Sequence, residues 1–215
     1  MRKIGIFGGS FDPIHFGHLR PALEILHALS LDEIRFIPTG QPAHRGLPVA
    51  PAGLRLEMVK AAVAMEPRFV VDEREIKRSK PSYTADTLAE LRDEHPDDAL
   101  ALLVGMDAFL GFPGWHRWRN IFDYAHVVAA HRPGWVLQSG GELVDVIRQR
   151  KVITAQELWS ATAGRILLQP VTQLEISSTL VRTSIAAGGD PRYLVPEPVR
   201  ELIHNSHCYM QPTEH

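Results

Sequence analysis

One stretch near the start of the chain decides the fold: Gly8-Gly9-Ser10-Phe11-Asp12-Pro13-Ile14-His15-Phe16-Gly17-His18. It follows an apolar run at 3–7 that predicts a first strand, and it leads into a segment from His18 to Leu29 whose leucines recur at helical spacing. Glycines at such a junction let the backbone approach an anion closely, and the helix that follows presents its positive end. His15 and His18 are three positions apart, so both rings can project into one crevice. The stretch therefore predicts a strand, a phosphate-binding turn and a helix.

The rest of the chain alternates short apolar runs with helical patterns. We expect Pro21 in the first turn of the first helix, and Ser82 or Thr84 as the cap of a later one. The patterns predict strands at 34–37, 69–71, 99–104, 126–130 and 165–168. They predict helices at about 54–65, from the cap at Ser82 or Thr84 to about 94, and at 135–163, 177–187 and 199–204.

This alternation predicts an α/β protein with a doubly wound parallel sheet. Ligands of such a sheet bind beyond the carboxyl ends of its strands. Because no repeat, low-complexity tract or linker divides the sequence, we expect one domain over residues 1–215, with a small C-terminal helical part from about residue 176.

Composition and charge exclude several classes of protein. Of 215 residues, 45% are hydrophobic and 22% are charged, which is typical of a globular protein and not of a disordered chain. A net charge of −2 argues against nucleic-acid and membrane-surface partners. The start of the chain lacks a signal-peptide pattern, and the longest apolar run, 99–106, is too short to span a bilayer. The single cysteine, Cys208, suits a reducing cytoplasm.

A second motif lies late in the chain, at Ile176-Ser177-Ser178-Thr179-Leu180-Val181-Arg182. Hydroxyls at a helix start cap the helix, and the N–H groups there attract anions. Arg182 is about one turn beyond Ser178 on the same helix face, so its guanidinium can reach the same phosphates. The motif alone is also compatible with an ordinary cap and a solvated arginine.

Two other chemistries are alternatives for the first motif. A dinucleotide oxidoreductase needs a G-x-G-x-x-G turn and an acidic residue closing the second strand, and this chain has neither feature. A metallohydrolase could use Asp12, His15 and His18 as ligands. That alternative leaves Gly17 without a role and lacks a second cluster of His and acidic residues, so we predict no protein-held metal site.

Together the two motifs resemble the nucleotidyltransferase superfamily, whose marks are an H-x-G-H turn and a late I-S-S-T-x-x-R helix. Within it the chain resembles the bacterial nicotinate-mononucleotide adenylyltransferases. Four further stretches carry the closer resemblance: Pro81-Ser82-Tyr83-Thr84, Gly105-Met106-Asp107, Phe112-Pro113-Gly114-Trp115-His116 and Arg132-Pro133-Gly134. The resemblance implies a Rossmann-like fold and transfer of AMP from ATP to nicotinate mononucleotide, giving nicotinate adenine dinucleotide and pyrophosphate in NAD biosynthesis.

The resemblance also implies the roles of individual residues. His15, His18 and Arg182 would be catalytic, Gly17 would leave room for the nucleotide, and Asp107 would accept a hydrogen bond from a ribose hydroxyl. Mg²⁺ is expected to arrive with ATP, held mostly by phosphates and water. The expected ATP-binding set is Gly8, Gly9, Ser10, Phe11, His15, His18, Gly105, Asp107, Arg132, Ile176, Ser177, Ser178, Thr179 and Arg182.

The expected nicotinate mononucleotide site has its own chemistry. Trp115 offers a flat face to a pyridine ring, whereas Trp118 is expected in the core. The helix start at Tyr83 and Thr84 favours a carboxylate over a neutral amide. The full expected set is His44, Arg45, Tyr83, Thr84, Trp115 and His116.

Two further functional hypotheses stay open on the sequence alone. Pantetheine-phosphate adenylyltransferases share both phosphate motifs, but they give no reason for the stretch 81–84 or for Trp115. A regulatory protein that holds ATP without turnover would also need both motifs. The sequence leaves the oligomeric state undecided between a monomer and a homo-oligomer.

Overall fold

The computed structural model describes residues 1–41, 48–132, 141–172 and 174–210. The chain divides into two compact units that interleave along the sequence. One unit comprises Met1–Phe7, Pro21–Arg35 and Tyr83–Gln173, and the other comprises Gly8–Arg20, Phe36–Ser82 and Leu174–His215. The single domain expected over 1–215 stays a prediction.

Seven strands form a sheet in the order β3-β2-β1-β4-β5-β7-β6. The pairs β1·β4, β4·β5, β5·β7 and β7·β6 are all parallel. The predicted α/β class with a parallel sheet is therefore confirmed. The strands are β1 (Lys3–Gly9), β2 (Glu33–Pro38), β3 (Phe69–Val71), β4 (Ala99–Gly105), β5 (His126–His131), β6 (Lys151–Val152) and β7 (Ile166–Pro170).

Helices and short helical turns connect these strands. Two single 3₁₀ turns cover Phe112–Gly114 and Trp118–Asn120. Within the described part of the chain, none of the helices has the length and apolar character needed to cross a membrane. The helices are α1 (Phe16–Ala28), α2 (Ala52–Val63), α3 (Arg74–Lys77), α4 (Thr84–Glu94), α5 (Met106–Leu110), α6 (Ile121–Tyr124), α7 (Glu142–Arg150), α8 (Ala155–Leu158), α9 (Ser178–Ala186) and α10 (Glu197–Ser206).

In the first unit the core surrounds β4. Its residues 99–104 are all buried, as expected of a parallel strand covered on both faces. The register pairs Gly105 at the end of β4 with Ala130 near the end of β5. Loops that follow these two strands therefore leave from the same edge of the sheet.

In the second unit the C-terminal helix α10 packs on α2, and α2 packs on β3. Phe36 lies at the centre of an aromatic group, with its ring centroid 6.0 Å from Phe11 and 4.9 Å from Phe69. This core supports the turn that follows β1, because Phe11 belongs to that turn and is buried.

Two predicted helix starts are wrong in detail. Pro21 lies in the interior of α1 because the helix begins at Phe16, and position 21 cannot donate a hydrogen bond to the Gly17 carbonyl. At α4, neither Ser82 nor Thr84 caps the helix. Tyr83 takes the N-cap position without a side-chain bond, and its carbonyl accepts from the N–H groups of residues 86 and 87.

The helical prediction for 135–163 is wrong for part of that segment. Residues 133–140 lie outside the described residues, and 142–150 is helical as expected. Lys151–Val152 instead pairs with β7 as a short parallel strand. A new helix, α8, then starts at Ala155, and its N-cap Thr154 forms a capping box with Glu157. This S/T-x-x-E signal was present in the sequence.

Candidate active site

We call residues 8–18 the glycine turn; it includes the end of β1 at Gly9 and the start of α1 at Phe16. Phe11 adopts a left-handed backbone conformation with φ of 47°, and its ring folds back under the turn. A Cβ on Gly9 would lie 3.1 Å from the Phe11 ring, closer than ordinary packing allows. A side chain at Gly9 would therefore push against the buried Phe11 ring.

His15 and His18 stack on each other, with ring centroids 3.8 Å apart. The backbone N–H of His15 donates to Nδ1 of His18 at 3.3 Å, so the neutral His18 ring carries its proton on Nε2. The Phe11 and His18 rings are nearly perpendicular, with a centroid distance of 5.2 Å. This packing holds the His18 ring in one orientation with a defined donor.

Burial lowers the pKa of both histidines. The pKa of His15 falls to about 4, because removing the ring from water disfavours its charged form. The pKa of His18 also lies well below its ordinary value, through burial first and then repulsion from a charged His15. Both rings are therefore neutral at neutral pH, and they can offer a ligand N–H donors but no full positive charges.

Nδ1 of His15 is buried and has no hydrogen-bond partner among the described residues. Gly17 explains how the ring fits this position. A Cβ at Gly17 would lie 2.8 Å from Nδ1 of His15 and 2.8 Å from the carbonyl oxygen of Ile176. The expected reason for Gly17, room for a nucleotide, is thus incomplete, because the glycine already makes room for these two protein groups.

The second motif docks directly on the first. Ser177 is the N-cap of α9, and its Oγ accepts from the N–H of Leu180 at 3.1 Å. The Ser178 hydroxyl donates to the carbonyl of Pro13 at 3.0 Å. The sequence predicted that hydroxyls cap this helix and that the N–H groups at its start attract anions. In the structure Ser177 caps the helix and Ser178 ties it to the glycine turn, and the binding of anions stays a prediction.

Arg182 is also held by the turn. Its Nη1 donates to the carbonyl oxygen of Asp12 at 2.7 Å and lies 3.7 Å from Oδ2 of the same residue. Its Nη2 donates to the hydroxyl of Thr179 at 3.3 Å. The side chain remains partly exposed. These contacts bring the Arg182 guanidinium to the turn that carries both histidines.

Asp12, which the sequence analysis considered only as a metal ligand, accepts several hydrogen bonds that hold the fold together. Its carboxylate accepts from the backbone N–H groups of Val49 and Ala50 at 2.9 and 3.0 Å. It also accepts from the hydroxyl of Tyr209 at 2.7 Å. Both oxygens are thus engaged by protein donors, which weakens the case for Asp12 as a ligand in a metallohydrolase.

Arg55 was not identified from the sequence, because an arginine on a helix is normally exposed. Its side chain is buried, and its guanidinium donates to the carbonyls of Ser10, Gly40 and Ala50 at 2.6, 3.3 and 3.2 Å. Burial lowers the pKa of Arg55, and the nearby Asp12 carboxylate opposes that shift. The glycine turn therefore rests on a buried cation.

The other unit holds the remaining predicted ATP-binding residues. Gly105 ends β4, and Asp107 lies in the first turn of α5. Arg132 directly follows β5, whose end pairs with that of β4. All three residues are exposed. Parallel pairing thus brings these residues to one edge of the sheet within this unit.

The predicted nicotinate residues cluster in the same unit. The Tyr83 and His116 rings lie 4.4 Å apart, and the Trp115 ring lies 4.6 Å from that of Phe112. Thr84 is the first residue of α4. Trp118 is buried, as predicted. His44 and Arg45 lie outside the described residues, so their role stays a prediction.

Comparison with known proteins places the chain among nucleotidyl-transferring proteins. The cytidylyltransferase-like family matches residues 6–184. A protein of Aeromonas hydrophila is 47% identical over 206 residues, 96% of each chain, and a protein of Halorhodospira halophila is 47% identical over 212 residues, 99% of this chain and 97% of that one. Both carry the name "Probable nicotinate-nucleotide adenylyltransferase".

A solved structure gives the same fold. The nicotinic acid mononucleotide adenylyltransferase of Plasmodium falciparum, complexed with NaAD, superposes with a TM-score of 0.74. The match covers 97% of this chain and 98% of that one, at 16% identity.

Proposed function

This chain belongs to the cytidylyltransferase-like family, and within it to the nicotinate-nucleotide adenylyltransferases, and on that premise we propose that it transfers AMP from ATP to nicotinate mononucleotide. The products are nicotinate adenine dinucleotide and pyrophosphate, and the reaction belongs to NAD biosynthesis. The single observation that carries this proposal is the docking of α9 on the glycine turn, through Ser178 on Pro13 and Arg182 on Asp12.

The reaction needs no protein nucleophile. The phosphate of the mononucleotide is already ionised, and it attacks the α-phosphorus of ATP in line while pyrophosphate leaves. Catalysis is then a matter of holding both substrates and stabilising the charge that builds on the leaving phosphates. The turn supplies backbone N–H groups at Gly8–Phe11, and α9 supplies Arg182.

His18 is the donor we place on the leaving phosphates. Its Nδ1 accepts from the His15 backbone, so its Nε2–H is directed away from that bond and can donate to a phosphoryl oxygen. His15 supports this ring by stacking on it. A bound polyanion would raise the low pKa of both rings, because negative charge stabilises the imidazolium form.

Mg²⁺ is expected to enter with ATP and to shield the charge of the phosphates. The Asp12 carboxylate already accepts hydrogen bonds from Val49, Ala50 and Tyr209. We therefore expect phosphate oxygens and water, and not this carboxylate, to hold the ion. We expect a chelated enzyme to recover full activity with Mg²⁺ alone. Tightly bound zinc that is required for activity would contradict this expectation.

We assign the nicotinate end to Tyr83, Thr84, Trp115 and His116. The start of α4 offers N–H donors and a partial positive charge, which suit a carboxylate better than a neutral carboxamide. Hydrogen bonds to a charged group are worth about 1.5–3 kcal/mol, and a partly buried helix start adds up to about 2 kcal/mol. We therefore expect kcat/KM for the acid to exceed that for the amide by at least ~10²-fold, or ~2.7 kcal/mol.

We place the reaction in the cytoplasm. The chain has one cysteine, so it forms no disulfide within itself. Burial raises the pKa of the Cys208 thiol, which keeps it in its less reactive protonated form.

A pyrophosphate-release assay tests the proposed function. ATP and Mg²⁺ are supplied with nicotinate mononucleotide, its amide analogue or phosphopantetheine, side by side. We expect fast release with the acid and slow release with the amide. Equal rates with acid and amide would refute the helix-start argument alone. Preference for phosphopantetheine would favour the pantetheine-phosphate reaction, and no release with any acceptor would favour a regulatory ATP-binding protein.

A further inference from the structure

The last described turn of the chain returns to the glycine turn. After α10 ends at Ser206, His207 and Tyr209 both adopt left-handed backbone conformations, with φ of 55° and 70°. This path carries the Tyr209 side chain into a buried position, where its hydroxyl donates to Oδ1 of Asp12 at 2.7 Å. A residue 197 positions away in sequence thus contacts the first motif.

Asp12 links Tyr209 to Arg182. Its Oδ1 accepts from Tyr209 and from the N–H of Ala50, and its Oδ2 accepts from the N–H of Val49. The same Oδ2 lies 3.7 Å from Nη1 of Arg182, and that Nη1 donates to the Asp12 carbonyl oxygen at 2.7 Å. The orientation of the Asp12 carboxylate therefore fixes where its negative charge lies relative to the Arg182 guanidinium.

The chemistry of these contacts favours a positioning role over packing alone. The hydroxyl and two N–H donors fix the orientation of the Asp12 carboxylate, whose negative charge attracts the guanidinium. Arg182 donates from Nη1 to the Asp12 carbonyl and from Nη2 to the Thr179 hydroxyl, and these two bonds fix the plane and direction of its other N–H donors. A guanidinium aligned before binding loses less side-chain freedom when it binds a phosphate.

We propose that Tyr209, acting through Asp12, is a positioning residue that holds the Arg182 guanidinium in the orientation required by the phosphates of ATP. The proposal rests on the proposed function, in which Arg182 binds those phosphates. It makes the C-terminal segment 207–209 part of the machinery that sets ATP affinity.

The test is a double-mutant cycle between Tyr209→Phe and Arg182→Ala. Tyr209→Phe removes only the hydroxyl and keeps the buried ring. We expect it to raise the KM for ATP by about 3- to 10-fold while leaving the KM for nicotinate mononucleotide unchanged. In the Arg182→Ala background the same change should have no further effect, because the residue being positioned is absent. The matched control is Tyr193→Phe, which removes a hydroxyl from a side chain that is 84% exposed and should leave every constant unchanged.

A role of Tyr209 in stability alone gives a different pattern. It would lower the active fraction and the melting temperature without shifting the KM for ATP, and it would act equally in both backgrounds. An unchanged KM for ATP in the Tyr209→Phe variant, or an equal effect in both backgrounds, overturns the proposal.

Asp12→Asn provides a second variant, since it keeps one acceptor oxygen and removes the charge that faces Arg182. It should also raise the KM for ATP, and a folded Asp12→Asn protein with an unchanged KM overturns the proposal. Failure of both variants to fold would show that the contacts serve the fold alone.

The failure of this inference can be told apart from failure of the proposed function. Calorimetry gives the dissociation constant of ATP for the wild type, both single variants and the double variant, without turnover. A wild type that releases no pyrophosphate with nicotinate mononucleotide would refute the function, and the four dissociation constants would still decide the positioning role.

Discussion

Two buried histidines, one in each unit, have pKa values lowered by the same cause but differ in their surroundings. Burial lowers the pKa of both His15 and His126 to about 4. At the start of β5, His126 has both ring nitrogens bonded, since Nδ1 accepts from the N–H of Arg165 at 3.1 Å and Nε2 lies 3.0 Å from the Ala161 carbonyl. In the glycine turn, Nδ1 of His15 has no partner in the described residues.

The difference separates a structural histidine from a functional one. A buried polar atom without a partner costs free energy, so it persists where something else compensates, such as a bound ligand or water. His126 completes the hydrogen bonds of a strand start and leaves nothing to offer a ligand. The glycine turn instead holds a stacked pair of neutral rings, one of which has a nitrogen without a partner in the described residues. This arrangement is what we expect of a phosphate-binding site.

The largest expected effect is on catalysis at the turn. His18→Ala removes the donor that we place on the leaving phosphates, and the loss of one such donor lowers kcat by about 10²–10³-fold. Steady-state pyrophosphate release measures this change. His27→Ala is a matched control, because His27 is an exposed histidine near the end of the same helix, α1. Activity of His18→Ala within a few-fold of the wild type would remove His18 from the catalytic role.

The next effect falls on stability and concerns the other histidine. His126→Phe leaves the Arg165 N–H and the Ala161 carbonyl without their ring partner, which costs about 2–4 kcal/mol in the free energy of unfolding. Chemical denaturation measures the loss. The kcat of the folded variant should match that of the wild type. A variant of full stability and reduced kcat would reverse the assignment of roles to the two histidines.

Gly17→Ala probes the packing around His15. The new Cβ would lie 2.8 Å from Nδ1 of His15 and from the Ile176 carbonyl oxygen, so the His15 ring or the backbone at Ile176 must shift. Overpacking of this kind costs about 1–3 kcal/mol, and the displaced His15 ring should lower kcat as well. Gly53→Ala is the control, because its Cβ meets nothing within 4 Å and its place in α2 favours alanine. Denaturation and kcat are measured for both variants, and equal behaviour of the two would contradict the close packing at Gly17.

The smallest effect is a change in the pH dependence of stability. The unfolded chain protonates His126 near pH 6.5, whereas the folded chain does so near pH 4. Between these values the unfolded state binds more protons, so stability falls as the pH falls, by up to about 1.4 kcal/mol per pH unit for this histidine. The slope from pH 6.5 to 4.5 should be shallower in His126→Phe than in the wild type. Identical slopes would show that His126 does not titrate as a buried neutral ring.

Much of the fold was predictable because local patterns and tertiary packing agree. The apolar run 99–104 predicts a strand buried on both faces, and the structure has such a strand there. The first strand, the turn and the first helix follow from glycines and helical spacing. The interior position of Pro21 was not predictable in the same way, because α1 starts earlier through bonds from the backbone of 18 and 19 to the His15 carbonyl.

The site was predictable in its residue types and less so in their contacts. Spacing alone placed His15 and His18 in one crevice, and they stack. Spacing could not reveal that Ser178 and Arg182 bond to the turn itself, since these partners are more than 160 positions apart. Arg55 gave no signal at all, because its burial depends on three backbone carbonyls that only the folded chain brings together.

Identification of the reaction products tests the central claim most directly. The wild-type protein is incubated with ATP, Mg²⁺ and nicotinate mononucleotide, and all nucleotides are separated by chromatography and weighed by mass spectrometry. Adenylyl transfer predicts one nicotinate adenine dinucleotide for each pyrophosphate released, with no ADP or free AMP. Formation of ADP and phosphate, or of AMP without the dinucleotide, would contradict it and would make the glycine turn the site of a hydrolase.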